Sequence, residues 1–230
     1  MKYLHFDQSA IGVWELFYNT SPNSQPINGT NVSATSKNKE CFLYNCMFIG
    51  ITTHSAISFE ESNIKFLSSD CSFHNCSSDT NGGSIYFNCS SSIVQYRSCG
   101  YKSKTISGRG HHSCVELVTN TSYKNYIYEC SFYDCGNLEK SHTNYLMYGY
   151  IEIKKINTSF CEAKVSSGIY LYEPTDQGNV THSSFCNTTS NYVIFQLNSH
   201  KYNFNFCNVL NNKYNEYKYG TFYAGSSIFL

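Results

Sequence analysis

Three blocks of the sequence share one pattern: Cys41-Phe-Leu-Tyr-Asn-Cys46, Cys71-Ser-Phe-His-Asn-Cys76 and Cys130-Ser-Phe-Tyr-Asp-Cys135. Each block has two cysteines separated by four residues, an aromatic residue between them, and Asn or Asp directly before the second cysteine. Less regular copies follow the same rhythm. The cysteines that begin the copies are Cys41, Cys71, Cys99, Cys130, Cys161, Cys186 and Cys207. Their spacings of 21–31 residues indicate about seven imperfect repeats.

Between these cysteines the same order of elements recurs. A polar stretch such as Ser77–Gly83 precedes a short apolar run such as Ser84–Phe87, and a second run such as Ile93–Tyr96 usually follows. The runs alternate apolar with polar residues and favour β-branched and aromatic side chains, which is typical of strands. No segment of 10–15 residues shows a helical period with caps. The sequence therefore predicts an all-β protein.

Short strands at regular spacing are also compatible with an antiparallel sandwich or barrel. Two observations favour a coil: each repeat keeps one order of strands, and the Asn-Gly hairpin signal occurs only at Asn28-Gly29 and Asn81-Gly82. We therefore predict a right-handed parallel β-helix of about seven turns over residues 41–230. Residues 1–40 are expected to form an N-terminal cap or an irregular segment. The apolar run at 227–230 suggests that the C-terminal end is uncapped or truncated.

Composition excludes several classes of protein. Only 14% of the residues are charged, against a usual ~25%, and the formal net charge is zero. Without a basic stripe, a nucleic-acid partner is not expected. An aromatic content of 17% argues against disorder. No stretch approaches 18 consecutive apolar residues, so no membrane-spanning segment is expected.

The cysteines and glycosylation sequons indicate location. Twelve cysteines are many for a cytosolic protein of this size, so we expect an oxidising compartment, outside the cell or at its surface. The N-terminus lacks the apolar stretch of a secretory signal, so an exported protein would here be a fragment or an incomplete gene product. Candidate N-glycosylation sites stand at Asn19, Asn28, Asn31, Asn75, Asn88, Asn120, Asn157, Asn179 and Asn187.

The seven leading cysteines are predicted to occupy one corner of successive turns. Neighbouring Cα atoms would then lie ~5 Å apart, which is within the range for disulfides. A column of buried, unpaired thiols is the alternative, because free cysteine packs as a small apolar residue. Zinc is not expected, since two cysteines five positions apart on a corner direct their sulfurs along different walls. No metal or other cofactor is predicted.

The Cys-x-Phe-x-(Asn/Asp)-Cys blocks, followed by Gly-Gly-Ser-Ile-Tyr-Phe at 82–87, resemble the repeats of pectin-lyase-like β-helix surface proteins of parabasalid protists. More distantly, Gly-Gly-Ser-Ile resembles a motif of bacterial polymorphic outer-membrane proteins. The resemblance covers about 41–224 in rhythm, and its strongest matches are the three blocks and 82–87. It implies a parallel β-helix, surface display and adhesion, with glycans or cell-surface proteins as partners.

An enzymatic alternative follows from the same resemblance, because many β-helices are pectate lyases or polygalacturonases. Such enzymes need clustered carboxylates, whereas the five aspartates here are scattered along the chain. The segment Ser107-Gly-Arg-Gly-His-His-Ser113 resembles the Gly-His-Gly loop of polygalacturonases. It makes Arg109, His111 and His112 the candidate catalytic residues. A solvent-facing, glycine-rich turn is the other interpretation.

The favoured interpretation is a non-catalytic, extracellular or surface-displayed β-helix with an adhesion or interaction role. Outward-facing tyrosine and phenylalanine rings would suit glycans, because they combine flat apolar area with a polar tip. The alternatives are a carbohydrate-active lyase or glycoside hydrolase, and a fragment of a larger surface protein without a separate function.

Overall fold

The computed structural model describes residues 9–34, 39–60, 63–120, 122–215 and 220–229. Within these ranges nearly all regular structure is β-strand, and each strand pairs in parallel with its equivalent in the neighbouring turn. The parallel β-helix of about seven turns predicted from the repeats is therefore confirmed.

Each turn of the chain passes through three stacks of strands, named sheets I, II and III, and then through a short fourth stack, sheet IV. Sheet I contains β3 (Ile57–Phe59), β7 (Ile85–Cys89), β11 (Ser113–Leu117), β15 (His142–Met147), β19 (Ser166–Tyr172), the first part of β23 (Val193–Asn205) and β26 (Gly220–Phe229). Sheet II contains the first part of β2 (Glu40–Ile49), β4 (Lys65–Ser69), β8 (Ser92–Tyr96), β12 (Lys124–Tyr128), β16 (Tyr150–Lys154), β20 (Gln177–Thr181) and the second part of β23.

Sheet III follows sheet II in every turn and carries the aromatic residue of the repeat. It contains β1 (Ile27–Thr30), the second part of β2, β5 (Ser72–His74), β9 (Cys99–Tyr101), β13 (Ser131–Tyr133), β17 (Asn157–Ser159), β21 (Ser184–Cys186) and β24 (Asn208–Leu210). Sheet IV consists of two-residue strands: β6 (Ser77–Ser78), β10 (Lys104–Thr105), β14 (Gly136–Asn137), β18 (Glu162–Ala163), β22 (Thr189–Ser190) and β25 (Lys213–Tyr214).

A single residue with positive φ makes each of the two bends that flank sheet III. Corner A, between sheets II and III, consists of Asn45, Asp70, Arg97, Glu129, Lys155, His182 and Phe206. Corner B, between sheets III and IV, consists of Gly50, Asn75, Lys102, Asp134, Phe160, Asn187 and Asn211. Asn and Asp adopt this left-handed conformation more readily than most residues. This preference explains the Asn or Asp before the second cysteine of each block.

The coil interior is filled by rows of side chains stacked one turn above another. In sheet III the central inward row is Phe48, Phe73, Gly100, Phe132, Thr158 and Phe185. The rings of Phe48 and Phe73 stack with centroids 5.0 Å apart and planes 5° apart. Every phenylalanine in this row is fully buried, and burial of each such ring contributes roughly 1.5–3 kcal/mol. The aromatic residue of the repeat is therefore a core residue.

A short helix lies on the outside of the coil near its N-terminal end. Helix α1 (Ala10–Tyr18) begins after Ser9, whose side chain accepts a hydrogen bond from the Gly12 N–H. Its buried residues Val13, Trp14 and Phe17 pack on the outward side chains of sheet II, which are Phe42, Leu67, Val94 and Tyr96. The sequence shows no helical period over 10–15 residues, and this helix of nine residues is shorter than that window.

Strand β1 follows the helix and extends sheet III beyond β2, with Gly29 opposite Cys46. The segment before the repeats thus has a helix on the side wall and a strand at the edge of the coil. Its role as an end cap stays a prediction. No helix in the described part of the chain is long and apolar enough to span a membrane.

Candidate functional site

The strand register corrects the predicted stack of leading cysteines. Cys41 lies within sheet II opposite Phe66, while Cys99 and Cys186 lie within strands of sheet III. The inward position after corner A is occupied by Cys46, Cys71, Ser98, Cys130, Ile156, Ser183 and Cys207. Cys161 belongs to the inward row after corner B, with Cys135. Only Cys71, Cys130 and Cys207 of the seven therefore share one row.

All twelve cysteines lie in the described residues, and all carry free thiols. Most of them are buried in the coil. Burial raises the pKa of the Cys41 and Cys130 thiols to about 12, so both remain protonated at neutral pH. These two thiols pack as small apolar groups rather than as nucleophiles.

The segment 107–113 does not bring its three candidate catalytic residues into one accessible site. Arg109 is exposed on the outside of sheet I, where it forms an ion pair with Glu116 at 3.2 Å and lies over the Tyr145 ring. His111 and His112 have no exposed surface and lie inside the coil. The prediction of a carbohydrate-active site on these residues is not supported by their placement. The other interpretation, a solvent-facing turn, is also wrong for His111 and His112, because both side chains are buried.

His111 is held as a neutral ring between two turns. Its Nδ1 accepts a hydrogen bond from the Thr105 N–H at 3.2 Å, so the proton sits on Nε2, which donates to the Lys140 carbonyl at 2.9 Å. Burial lowers the pKa of His111 to about 4. His142 lies nearby, with its Nδ1 2.8 Å from the Ser166 hydroxyl, and burial lowers its pKa to about 3. Both side chains are structural polar links between turns.

His112 fills a gap in the phenylalanine row of sheet III. Gly100 occupies the row between Phe73 and Phe132, and the His112 ring enters the space that a side chain at Gly100 would need. The ring centroid of His112 lies 5.5 Å from that of Phe73 and 4.6 Å from that of Phe132. Burial lowers the pKa of His112 to about 3, so the ring is neutral. The His112 ring therefore acts as a packing group between Phe73 and Phe132.

The sequons lie where a glycan has room. Among the nine asparagines none is buried; Asn120 and Asn179 are partly exposed and the other seven are exposed. Asn75 and Asn187 occupy corner B, where the side chain points away from the core. Glycosylation of these sites stays a prediction.

A groove runs along the coil axis beside corner B. Its first part is a cavity of about 410 Å³ lined by Asn75, Ser77, Lys102, Lys104, Asp134 and Gly136. Its second part is a cavity of about 300 Å³ lined by Phe160, Glu162, Asn187, Thr189, Asn211 and Lys213. The two parts adjoin, because Gly136 and Glu162 pair in neighbouring turns. Corner B and the outward residues of sheet IV therefore form one continuous surface, named the axial groove.

Two exposed aromatic rings, Tyr133 and Phe160, and the half-buried ring of Tyr101 follow the same edge. Tyr101 and Tyr133 are the outward residues directly before corner B in their turns, and Phe160 occupies the corner in the next turn. The ring centroids of Tyr133 and Phe160 lie 5.3 Å apart, and those of Tyr101 and Tyr133 lie 5.8 Å apart. The exposed fractions of Tyr133 and Phe160 are 47% and 50%. The axial groove thus has a polar floor and an aromatic rim.

The charges of the groove are mixed. Lys102 lies 3.8 Å from Asp134 across neighbouring turns, in an exposed ion pair that contributes little to stability. Sequence reasoning missed these residues as a site, although Asn75 and Asp134 were noted as part of the cysteine motif. The signal was the position itself, because a left-handed residue directly before a buried one carries its side chain outward at corner B.

The described part of the chain contains no cluster of three or more His, Cys, Asp or Glu side chains able to hold a metal ion. Comparisons of the chain with protein-family models, with curated proteins and with solved structures gave no match. The resemblance to pectin-lyase-like surface repeats therefore stays a prediction, and function has to be argued from the geometry.

Proposed function

We propose that this protein is a non-catalytic binding protein, displayed outside the cell or at its surface, that holds an extended glycan in the axial groove. The observation that carries the proposal is the pairing of a polar floor with a row of exposed aromatic rings along the coil axis. Adhesion or another interaction role follows from such binding.

The repeat geometry suits a polymeric ligand. Corner B places one outward position every ~4.8 Å from turn to turn, so the groove offers a row of contacts along one direction. The amide side chain of Asn211, which lies in the groove and outside the sequons, both donates and accepts hydrogen bonds, as sugar hydroxyls do. The exposed rings of Tyr133 and Phe160 offer apolar faces and edges for the C–H groups of a sugar.

The enzymatic alternative has less support. His111 and His112 have no accessible surface, and Arg109 is engaged by Glu116 and Tyr145 on another side of the coil. In the groove, the carboxylate of Asp134 is engaged by Lys102. The described residues of the groove therefore offer no evident pair of free carboxylates for acid–base cleavage of a glycosidic bond.

Location outside the cell is supported by the exposed positions of the sequons and by the lack of any buried asparagine among them. Expression in a secreting eukaryotic host, followed by glycosidase treatment, would test whether they are used. A loss of mass after treatment is expected. An unchanged mass would remove this support.

Binding is tested with the whole chain on a glycan array, followed by titration calorimetry with the strongest oligosaccharide. The double variant Tyr133→Ala/Phe160→Ala should bind about 5- to 150-fold more weakly, because each ring contact contributes roughly 0.5–1.5 kcal/mol. Phe206→Ala is the matched control, since Phe206 is an 80% exposed phenylalanine at corner A, away from the groove.

Three outcomes would contradict the proposal. The array gives no binding, the double variant binds as well as the unmodified chain, or Phe206→Ala weakens binding equally. Incubating the bound oligosaccharide with the protein and measuring new reducing ends or unsaturated products tests the non-catalytic part separately.

A further inference from the structure

Two pairs of cysteines occupy neighbouring positions in the inward rows of the coil. Cys46 and Cys71 follow corner A in consecutive turns, directly before the paired residues Met47 and Ser72. Cys135 and Cys161 follow corner B in consecutive turns, directly before the paired residues Gly136 and Glu162. Neither pair joins two leading cysteines of the sequence motif, so the spacing of the repeats alone does not reveal them.

The geometry of both pairs suits a cross-link between turns. Neighbouring Cα atoms of a parallel stack lie ~4.8 Å apart, within the 4.4–6.8 Å usual for disulfides. Both members of each pair are buried and face the interior from the same row, and their thiols are direct neighbours. The hydrogen bond from Cys71 lowers the pKa of the Cys46 thiol, which favours the thiolate that attacks in disulfide exchange.

The remaining cysteines have no cysteine in the adjacent position of a neighbouring turn. Cys76 and Cys135 lie in one row but are separated by Ser103. Cys130 lies between Ser98 and Ile156, and Cys99 lies between Ser72 and Ser131. Other residues likewise stand next to Cys41, Cys89, Cys114, Cys186 and Cys207.

We propose that Cys46–Cys71 and Cys135–Cys161 are the two disulfides that this chain forms when it meets a disulfide oxidant. In each case the protein thiolate attacks one sulfur of the oxidant, and one small thiol leaves as its thiolate. The second protein thiol, once deprotonated, attacks the mixed disulfide and releases the other small thiol. Two protein thiols are oxidised to one disulfide, and one oxidant disulfide is reduced to two thiols. The inference is independent of glycan binding.

The test is a disulfide map of the whole chain. The reduced, unfolded protein is refolded with oxidised and reduced glutathione, and free thiols are then labelled with N-ethylmaleimide in denaturant at mildly acidic pH, so that buried thiols also react. The peptides are analysed by non-reducing mass spectrometry. We expect both cross-links and labelling of the other eight of the twelve cysteines. The same map on protein that was never unfolded, treated with oxidised glutathione, removes any dependence on refolding.

Single variants separate the two sites. Cys46→Ser should free Cys71 for labelling and leave the Cys135–Cys161 link intact, whereas the control Cys99→Ser should leave both links intact. Complete labelling of all twelve thiols in both preparations, or links that join other cysteines such as Cys76 and Cys135, would overturn the proposal.

Discussion

Adding one methyl group at Gly100 should destabilise the coil through a clash with a single ring. A Cβ atom at Gly100 would lie 2.6 Å from Cε1 and 3.1 Å from Cγ of His112. His112 cannot move aside easily, because Phe73 and Phe132 stand on either side of its ring and it has no exposed surface. Gly100 does not have a positive φ, so Gly100→Ala adds the clash without the strain of a left-handed backbone.

The magnitude follows from overpacking of a close-packed interior, which typically costs about 1–3 kcal/mol. For a chain of this size, that corresponds to a fall in Tm of roughly 2–12 °C. The double variant Gly100→Ala/His112→Ala removes the ring that the new methyl group would meet. We therefore expect the effect of Gly100→Ala to be much smaller in a His112→Ala background, with a coupling of about 1–2 kcal/mol.

The assay is urea unfolding followed by circular dichroism for the unmodified chain, both single variants and the double variant. Ser131→Ala is the control, because Ser131 lies in the adjacent strand but faces outward and is exposed. Additive effects of Gly100→Ala and His112→Ala would refute the reasoning. So would a free energy of unfolding for Gly100→Ala equal to that of the control.

Three further perturbations have defined outcomes. In the folded chain, burial lowers the pKa values of His111, His112 and His142 to about 4, 3 and 3. In the unfolded chain the same histidines bind protons below about pH 6.5. Their contribution to stability is therefore complete above pH 6.5 and is lost towards pH 4, by about 2 kcal/mol per histidine at pH 5, measurable by urea unfolding against pH. Trp14→Ala should cost about 3–5 kcal/mol in thermal unfolding monitored by helix circular dichroism, because Trp14 is fully buried between α1 and sheet II. Asn75→Gly should lower thermal stability little, while Asn75→Val should lower it by about 1–2 kcal/mol, because a β-branched residue resists positive φ.

The fold was predictable because every turn needs the same pattern of inward apolar and outward polar side chains. Strand runs of alternating polarity and the motif around Phe73 and Phe132 are enough to indicate a coil. Which corner of the coil each cysteine of the motif follows was not predictable. Cys41–Cys46 matches Cys71–Cys76 in sequence, yet Cys46, not Cys41, occupies the row of Cys71. Asn or Asp followed by Cys occurs at both corners, at Asn45-Cys46 and Asp70-Cys71 in corner A and at Asn75-Cys76 and Asp134-Cys135 in corner B, so the same residue pair fits either corner.

The placement of His111 and His112 was not predictable from the sequence, for a related reason. His111 and His112 in a glycine-rich segment have the composition of an exposed loop, and their burial depends on space provided by residues distant in sequence. For His112 that space is the missing side chain of Gly100, which lies twelve residues before the ring in the same turn of the coil. A glycine in place of an expected phenylalanine was the only sequence signal, and it becomes meaningful only when the rows are aligned.

The corners have a consequence for how such a protein can change over generations. Arg97, Lys155 and Phe206 occupy the same backbone conformation as Asn45 and Asp70, so charged, amide and aromatic side chains all occur there. Inward rows and outward corners therefore have separate tasks: the inward rows determine the shape of the coil, and the corners determine the chemistry of its surface. A substitution at one corner therefore changes the outer surface of a single turn without changing the inward rows that hold the rod together.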